Sequence, residues 1–289
     1  MLRADNPGPM TLDGTRSYVL RAPDTPGCVV VDPGPLLEPH LTALADAGPV
    51  DLVLVTHRHA DHTGGLARFR ELTGAPSRGV LAEFSVSGAD GAAVEPLADG
   101  EMLSVAGLRI EVLATPGHTA DSVCFVVSSP DDSGGVPGGG SGGEPSGKPS
   151  GEATEATSGT VVLTGDTVLG RGTTVLAEPD GSLRDYLASL DRLSALNLLD
   201  PVRALPGHGP VIPDLGAAVR AYREHRLERL NQVRSALAGL GVKLPDAGVP
   251  LPDALLDSVT GAVYSDVDPS VLGAAHSSVR AQLEYLRGR

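Results

Sequence analysis

Three histidines and one aspartate fall within six consecutive positions of this chain, in the motif THRHADHTGG at residues 56–65. Imidazole and carboxylate groups are the side chains with which proteins hold zinc and related metals. The chain has 8 histidines in all, and three packed together would repel one another if they were protonated. A bound cation explains the motif better than a solvated loop does, so we predict a metal site here.

A short apolar run leads into this motif, and two glycines end it. Residues 51–55 are branched and apolar, which is typical of a buried strand, and the glycines open a predicted helix. On an extended segment His57 and His59 point to the same side, because strand side chains alternate with a period of two, so they can share one metal ion. Asp61 and His62 follow as the chain turns, which favours a second ion.

Three further candidate ligands follow predicted strands. His118 and His208 each come directly after a Pro-Gly turn, which would hold an imidazole rigidly, and Asp166 follows an apolar run. The runs at 123–127 and 160–163 are predicted to pair as antiparallel strands. That pairing would bring His118 and Asp166 to one end of a hairpin and send its connecting segment away from the other end.

The composition predicts a protein with a sizeable core. The chain has 289 residues, a mass of 29.4 kDa and 41% hydrophobic residues, enough for one large domain and a small appendage. A formal net charge of -14 without a basic run argues against a general nucleic-acid binder. Cys28 and Cys124 lie in apolar runs, which predicts buried thiols. Because no apolar stretch has the length of a signal peptide or membrane span, we expect a cytoplasmic protein without a membrane partner.

The remaining pattern predicts alternating strands and helices, followed by a helical end. Residues 15–20 and 27–31 are predicted to form a hairpin, after which Asp32 is either a turn-former or a partner for a ligating imidazole. Residues 129–159 are nearly all Gly, Ser, Pro, Glu and Thr, which predicts a disordered insert. The other predicted strands are 79–82, 103–105, 108–113 and 202–205, and the predicted helices include 39–47, 183–196, 215–239, 253–263 and 270–287. His225 falls on the helix predicted at 215–239 and His276 on the helix predicted at 270–287, and we expect both to be surface or interface histidines.

Taken in order, these motifs resemble the metallo-beta-lactamase superfamily over residues 10–213. The residues that carry the resemblance are Thr56-His57-x-His59-x-Asp61-His62, Pro116-Gly117-His118, Gly165-Asp166 and Pro206-Gly207-His208-Gly209. The runs GDTVLGRGTT at 165–174 and GHGPVI at 207–212, followed by Tyr222-x-x-His225-Arg226, look like the beta-lactamase-like protein 2 group, which is glyoxalase II-like. The chain has Ser17-Tyr18 where Asn-Tyr is usual in that group.

The resemblance implies an αββα sandwich with a small C-terminal helical, winged-helix-like region. The domain boundaries that follow are a metallo-beta-lactamase domain at 1–213, which contains the insert, and a helical region at 214–289. The resemblance also implies the ligand set: His57, His59 and His118 for the first ion; Asp61, His62 and His208 for the second; and Asp166 bridging. A set of imidazole and carboxylate ligands without a thiolate suits zinc best, and it would also accept manganese or iron.

The activity implied is hydrolysis by hydroxide that two zinc ions generate from a shared water. Asp61 is the expected catalytic residue, which orients that hydroxide and later passes a proton to the leaving group. Arg171, Thr173 and Thr174 are candidate substrate contacts. The expected substrate is a small-molecule thioester or related activated ester. Two alternatives are a metal-dependent endoribonuclease acting on single-stranded RNA and a non-catalytic, metal-stabilised interaction module.

Overall fold

A computed structural model describes residues 1–128, 159–177, 180–196, 201–265 and 267–288. The predicted insert lies outside this part of the chain except for its last residue. The strands described are β1 (Leu2–Arg3), β2 (Arg16–Leu20), β3 (Cys28–Val31), β4 (Val50–Leu54), β5 (Ser77–Arg78), β6 (Met102–Val105), β7 (Leu108–Ala114), β8 (Val123–Ser128), β9 (Val161–Gly165) and β10 (Arg203–Pro206). The helices are α1 (Glu38–Ala45), α2 (Ala60–Thr63), α3 (Leu66–Thr73), α4 (Leu183–Ser194), α5 (Leu215–Leu240), α6 (Asp253–Val263) and α7 (Leu272–Leu286).

The strands form two mixed sheets of five. In the first sheet the order is β1-β2-β3-β4-β5, and β3, β4 and β5 run parallel to one another. In the second the order is β10-β9-β8-β7-β6, with β9 and β10 parallel and the other neighbours antiparallel. The predicted hairpins β2-β3 and β8-β9 are both present. The loops that contain the predicted ligands follow the carboxyl ends of β4, β7, β9 and β10.

Alternating burial along the strands explains why the two sheets pack face to face. Val29 and Val31 of β3 point into a core shared with Ile110 and Phe125 of the second sheet. Their neighbours on β3 point the other way, into a core shared with α1 and α3. On the far side of the second sheet, the outward-facing residues pack against α4 and α5. The layers thus run helix, sheet, sheet, helix, and the predicted αββα fold is confirmed.

The C-terminal helices pack on one another and on the sandwich. A separate small core lies between α5, α6 and α7 and includes Val233, Leu256 and Val279. Leu215, Val219 and Tyr222 at the start of α5 belong instead to the core against the second sheet. The described residues of this region contain helices and no strand, so the helical prediction is confirmed, while the winged-helix likeness and the boundary at residue 213 stay predictions.

Two local predictions differ from the structure. The strand expected at 79–82 is displaced to β5, and residues 82–84 form a single 3-10 turn. The reason is that the Ser85 hydroxyl donates to the Gly79 carbonyl at 3.0 Å and turns the chain out of the sheet. The four-residue helix α2 was not predicted, since so short a segment has no periodicity to detect. None of the described helices is both long and apolar enough to cross a membrane.

Candidate metal centre

The seven predicted ligands meet where the two sheets end beside each other. Parallel pairing of β3 with β4 places Asp32 next to the motif loop, and parallel pairing of β9 with β10 places Asp166 next to His208. The two edges are held together because the Val123 amide donates to the Thr56 carbonyl at 2.9 Å. Residues far apart in sequence are thereby gathered into one cluster.

His57, His59 and His118 form the first group of ligand atoms. His59 Nδ1 lies 3.1 Å from His57 Nε2 and 3.0 Å from His118 Nε2. Two ligands on a tetrahedral zinc ion, each bonded at about 2.0–2.1 Å, are roughly 3.3 Å apart. Three unprotonated nitrogens converging at these separations fit one metal ion.

Asp61, His62 and His208 form the second group. Asp61 Oδ2 lies 3.3 Å from His62 Nε2 and 3.1 Å from His208 Nε2, and the two nitrogens are 3.3 Å apart. Both histidines are buried, whereas Asp61 is partly exposed. This group has the separations of a second metal site, with its carboxylate on the open side.

Asp166 lies between the two groups and contacts both. Its Oδ1 is 3.4 Å from His62 Nε2, and its Oδ2 is 3.3 Å from His208 Nε2 and 3.7 Å from His118 Nε2. Asp166 Oδ1 is buried and has no hydrogen-bond partner. Buried carboxylate oxygens are almost always satisfied, so this unsatisfied oxygen suits a cation. The residues present therefore fit two metal ions, and Asp166 lies between the two groups that would hold them.

Outer hydrogen bonds orient three of the imidazoles. His118 Nδ1–H donates to the Val175 carbonyl at 2.8 Å, and His62 Nδ1–H donates to Asp32 Oδ2 at 2.8 Å. When these imidazoles are neutral, the δ nitrogen carries the single proton and the ε nitrogen keeps a lone pair directed into the site. His57 contacts the Thr56 hydroxyl through Nδ1 at 3.0 Å, which leaves its ε nitrogen facing the site as well.

Asp32 is the hub of these outer contacts. Its Oδ1 accepts from the Thr56 amide at 2.8 Å, and its Oδ2 accepts from the Thr56 hydroxyl at 2.6 Å as well as from His62. It is 2% exposed and has a φ of 52°, in the left-handed region that aspartate tolerates better than most residues. Of the two roles that sequence left open, Asp32 therefore serves both: it turns the chain and it positions a candidate ligand.

Burial shapes the protonation of the first group. It lowers the pKa of His57, His59 and His118 below the 6.5 of an ordinary histidine, because a charged imidazole loses its hydration there. All three are therefore neutral near pH 7. A neutral imidazole is the form that binds a metal, so this group needs to lose no proton to do so.

The second group differs because carboxylates surround it. Burial lowers the pKa of His62 and His208, but it is outweighed: Asp166 and Asp32 raise the pKa of His62, and Asp166 and Asp61 raise that of His208 to about 9. Burial in turn raises the pKa of Asp61, yet its hydrogen bonds to His208 and His62 hold it well below the usual range. Without metal, this group is a cluster of imidazolium and carboxylate ions, and a metal cation can take the place of the protons.

Glycine is required where the chain passes closest to the ligands. A Cβ on Gly207 would lie 2.4 Å from Asp166 Oδ1 and 2.7 Å from His62 Cε1. Gly117 has a φ of +132°, and a Cβ there would lie 2.4 Å from the backbone of Tyr186 at the start of α4. The Pro-Gly-His turns thus bring two histidines to the site along paths that no larger residue can follow.

A cavity of about 400 Å³ opens beside His118 and Asp166. Arg171 and Thr173, two of the predicted substrate contacts, are exposed along its wall. Thr174 also lines it, but this residue is buried, and its hydroxyl donates to the Asp166 carbonyl at 2.7 Å. Thr174 therefore supports the backbone of a candidate ligand, and its role as a substrate contact stays a prediction.

The cavity also includes residues of the C-terminal helices that were not among the predicted site residues. His225, Arg226 and Arg229 of α5 line it together with Tyr264. Their spacing along α5 places them on one face of a helix, a signal that could have identified them. His225 thus faces the candidate site instead of being a plain surface residue. His276 does not line the cavity, and its Nε2 lies 3.4 Å from an oxygen of Asp257.

Comparison with known proteins identifies the family. A profile of the metallo-beta-lactamase superfamily matches residues 10–208, the span that contains all seven predicted ligands. The chain belongs to the metallo-beta-lactamase superfamily. It is a hydrolase of that superfamily, whose members bind two metal ions, and its clustered histidines and aspartates form groups of ligand atoms that can hold a metal ion.

Curated relatives extend the match beyond the profile. An atrochrysone carboxyl ACP thioesterase of Aspergillus chevalieri is 29% identical over 283 residues, which cover 93% of this chain and 75% of the relative. A beta-lactamase-like protein 2 homolog of Caenorhabditis elegans is 27% identical over 288 residues, which cover 97% of this chain and 81% of the relative. Both alignments therefore reach into the C-terminal helices.

Solved structures share the fold across almost the whole chain. A metallo-beta-lactamase family protein of Thermus thermophilus superposes with a TM-score of 0.67 at 22% identity, covering 99% of this chain and 92% of that one. A beta-lactamase domain protein of Burkholderia ambifaria has the same TM-score of 0.67 at 20% identity, covering 97% of this chain and 83% of that one. The sandwich and its helical appendage are thus a shared architecture.

Proposed function

We propose that this protein uses two zinc ions to hydrolyse a thioester or a related activated ester. The observation that carries the proposal is the arrangement of two groups of ligand atoms joined by Asp166 at the mouth of a cavity with a largely apolar wall. A cavity of this size matches a small organic substrate. His57, His59 and His118 would hold the first ion, and Asp61, His62 and His208 the second. Manganese or iron would suit the same donors.

When bound, the two ions would activate a water molecule as the nucleophile and polarise the carbonyl under attack. Asp61 would orient that water. Its Oδ2 accepts a hydrogen bond from the Thr15 hydroxyl at 3.1 Å, and Thr15 is held in turn by Asn6, whose side-chain nitrogen donates to the same hydroxyl at 3.0 Å. This chain of contacts fixes the carboxylate at the partly exposed edge of the site.

The protonation of the site favours a thiolate as the leaving group. The pKa values of Asp61 and Asp166 both lie below the ordinary range, so near pH 7 neither carries a proton of its own, and a proton that Asp61 passes to the leaving group has to come first from the attacking water. A thiol has a pKa of about 8.5, so a thiolate leaves readily without a proton. An alkoxide is a far stronger base and needs a general acid. Thioesters therefore suit this site better than ordinary esters or phosphodiesters do.

The named activity of one relative agrees with this reasoning. The Aspergillus chevalieri protein is an acyl carrier protein thioesterase by name, and its alignment covers both the metal-site loops and α5. We take thioester cleavage from it as support for the reaction type. We do not carry over its acyl group.

Endoribonuclease activity on single-stranded RNA is the second candidate. The observation that favours it is the row of arginines in the cavity, since guanidinium groups bind phosphate. The net charge of -14 opposes it, because RNA binding depends heavily on cation contacts to phosphate and on counterion release.

Matched assays of metal-loaded protein separate the two candidates. We expect turnover of small thioesters to exceed cleavage of single-stranded RNA, and Asp61→Asn to lower thioester kcat/KM by roughly 10²–10⁴-fold. Arg220→Gln is the control, since Arg220 is exposed on α5 and does not line the cavity. RNA cleavage that outpaces thioester turnover and falls steeply with added salt would replace the thioesterase proposal with the endoribonuclease.

A further inference from the structure

The cavity beside the metal centre extends from His118 and Asp166 towards the C-terminal helices. One side is formed by the loop at 169–175, and the other by α5 and the chain between α6 and α7. Val267, Val271 and neighbouring alanines make much of the far wall apolar. A substrate bound at the metals would therefore extend beneath these helices. Side chains there can contact the end of the substrate that is remote from the reacting carbonyl.

The charged side chains along this cavity are almost all cationic. Arg171, Arg226 and Arg229 line it, whereas Asp166 is the one carboxylate among its lining residues in the described part of the chain. The chain as a whole has a formal net charge of -14. The cavity lining is thus positively charged in a protein whose net charge is negative. Because its walls have a low dielectric constant, the cavity attracts an anion more strongly than an open surface would.

Arg226 is a buried cation without a carboxylate partner in the part of the chain that the structure describes. It is 3% exposed, its guanidinium donates to the Thr174 carbonyl, and its Cζ lies 5.0 Å from the centre of the Tyr186 ring. Its Nε is buried and makes no hydrogen bond, and no ion pair among the described residues includes it. Burying an uncompensated charge is costly, so a side chain kept in this state points to an anion supplied from outside the chain.

The other two arginines keep donors free. Arg229 Nη1 donates to Gln232 Oε1 at 2.9 Å and its Cζ lies 4.9 Å from the centre of the Tyr264 ring, but it pairs with no carboxylate of the described chain. The side chain of Arg171 makes neither a hydrogen bond nor an ion pair within the described residues and is exposed at the mouth of the cavity. Elsewhere on this fold, Arg68 pairs with Glu38 and Arg192 pairs with Asp99.

We propose that Arg171, Arg226 and Arg229 make this protein selective for thioesters that carry a second, anionic group remote from the reacting carbonyl. This inference rests on the proposed function and names its substrate class. A guanidinium binds the oxygens of a carboxylate or a phosphate through two parallel N–H donors. The oxyanion has two sources: a carboxylate at the end of the acyl chain, or a phosphate on a pantetheine-like thiol arm.

Two matched substrate pairs test this with the metal-loaded, full-length protein. Succinyl against butyryl N-acetylcysteamine varies the charge of the acyl chain, and butyryl 4′-phosphopantetheine against butyryl pantetheine varies that of the thiol arm. We expect the anionic member of one pair to be favoured in kcat/KM by roughly 10- to 100-fold, the range of one or two charge-assisted hydrogen bonds. The pair that shows the preference identifies the source of the oxyanion.

The variants assign that preference to the arginines. Arg229→Gln and Arg171→Gln should each lower kcat/KM for the anionic member of the favoured pair more than for its neutral member, which reduces the preference. Arg220→Gln removes the same charge from an exposed site on α5 outside the cavity and should leave it intact. Equal turnover within both pairs, or a preference that survives Arg229→Gln and Arg171→Gln together, would overturn the inference and leave the thioesterase proposal standing.

A direct binding measurement tests the proposed anion site separately from the proposed thioesterase reaction. Calorimetric titration with succinate and with inorganic phosphate should show weaker binding to Arg229→Gln than to the parent protein. If no thioester is turned over but this difference is found, the anion site is supported and the reaction type is wrong. If single-stranded RNA is the better substrate and Arg229→Gln abolishes its cleavage, the arginines serve an RNA backbone and the inference fails.

Discussion

Replacement of Gly207 by alanine is the sharpest test of the proposed metal centre. The new methyl group would lie 2.4 Å from Asp166 Oδ1 and 2.7 Å from His62 Cε1, where ordinary contacts begin at 3.4 Å. The φ of this residue is outside the positive range, so the backbone itself tolerates alanine and the effect is one of contact. Relief requires Asp166 or His62 to move by about 1 Å, close to the displacement that disables catalytic geometry.

The clash should move Asp166 more than His62. His62 is held from behind by Asp32 and has little freedom to retreat, so Asp166 would be displaced from its place between the two groups. Loss of an outer ligand contact costs roughly 10- to 100-fold in metal affinity, and displacement of a bridging ligand should cost at least as much. We expect Gly207→Ala to retain its fold and to lose close to one metal ion per chain.

Elemental analysis of purified protein, followed by competition with a chelator, measures both quantities. Gly239→Ala is the matched control, because a Cβ there meets nothing within 4 Å and the residue lies inside α5. That control should keep two ions and gain about 0.5–1 kcal/mol of stability from its helical position. A Gly207→Ala protein that binds two ions with unchanged affinity would refute the assignment of Asp166 as a bridging ligand.

Three further outcomes are expected. Asp32→Asn should weaken metal binding roughly 10- to 100-fold in chelator competition, because one of the two oxygens that accept from Thr56 and His62 becomes an NH2 group, which cannot accept; unchanged affinity would contradict the positioning role. In metal-free protein, the pKa of His208 is about 9 when folded and near 6.5 when unfolded, so the free energy of unfolding should fall as pH rises from 6.5 to 9. Chemical denaturation measures this fall, and His208→Gln should flatten it. Burial raises the pKa of Cys124 to about 11, so iodoacetamide at about pH 8 should label it only after unfolding, as mass spectrometry would show; rapid labelling of the native protein would refute its burial.

Much of the fold and of the candidate site could be predicted from local sequence. The strand before the motif, the two hairpins and the long α5 each carry a periodicity or a turn signal that depends on neighbouring residues alone. The same is true of the Pro-Gly-His turns, because the restricted backbone of proline and the small size of glycine act within three residues. Seven candidate ligands could be named in this way, and the structure brings all seven together.

Other features depend on contacts between distant parts of the chain. The strand expected at 79–82 is replaced by β5, because a hydrogen bond from Ser85 to Gly79 turns the chain out of the sheet. Whether Asp32 was a turn-former or a partner could be decided only when pairing of β3 with β4 brought it to Thr56 and His62. No local pattern contains either contact.

The cavity beside the candidate metal centre is the feature that tertiary structure alone decided. Sequence determined that α5 is a helix and that His225, Arg226 and Arg229 share one of its faces, but it left open what that face meets. Packing of the start of α5 against the second sheet directs the face towards the metal centre, next to the loop that carries Arg171. Helical periodicity fixes which side chains stand together, whereas their neighbours are set by burial of apolar surface between elements far apart in the chain.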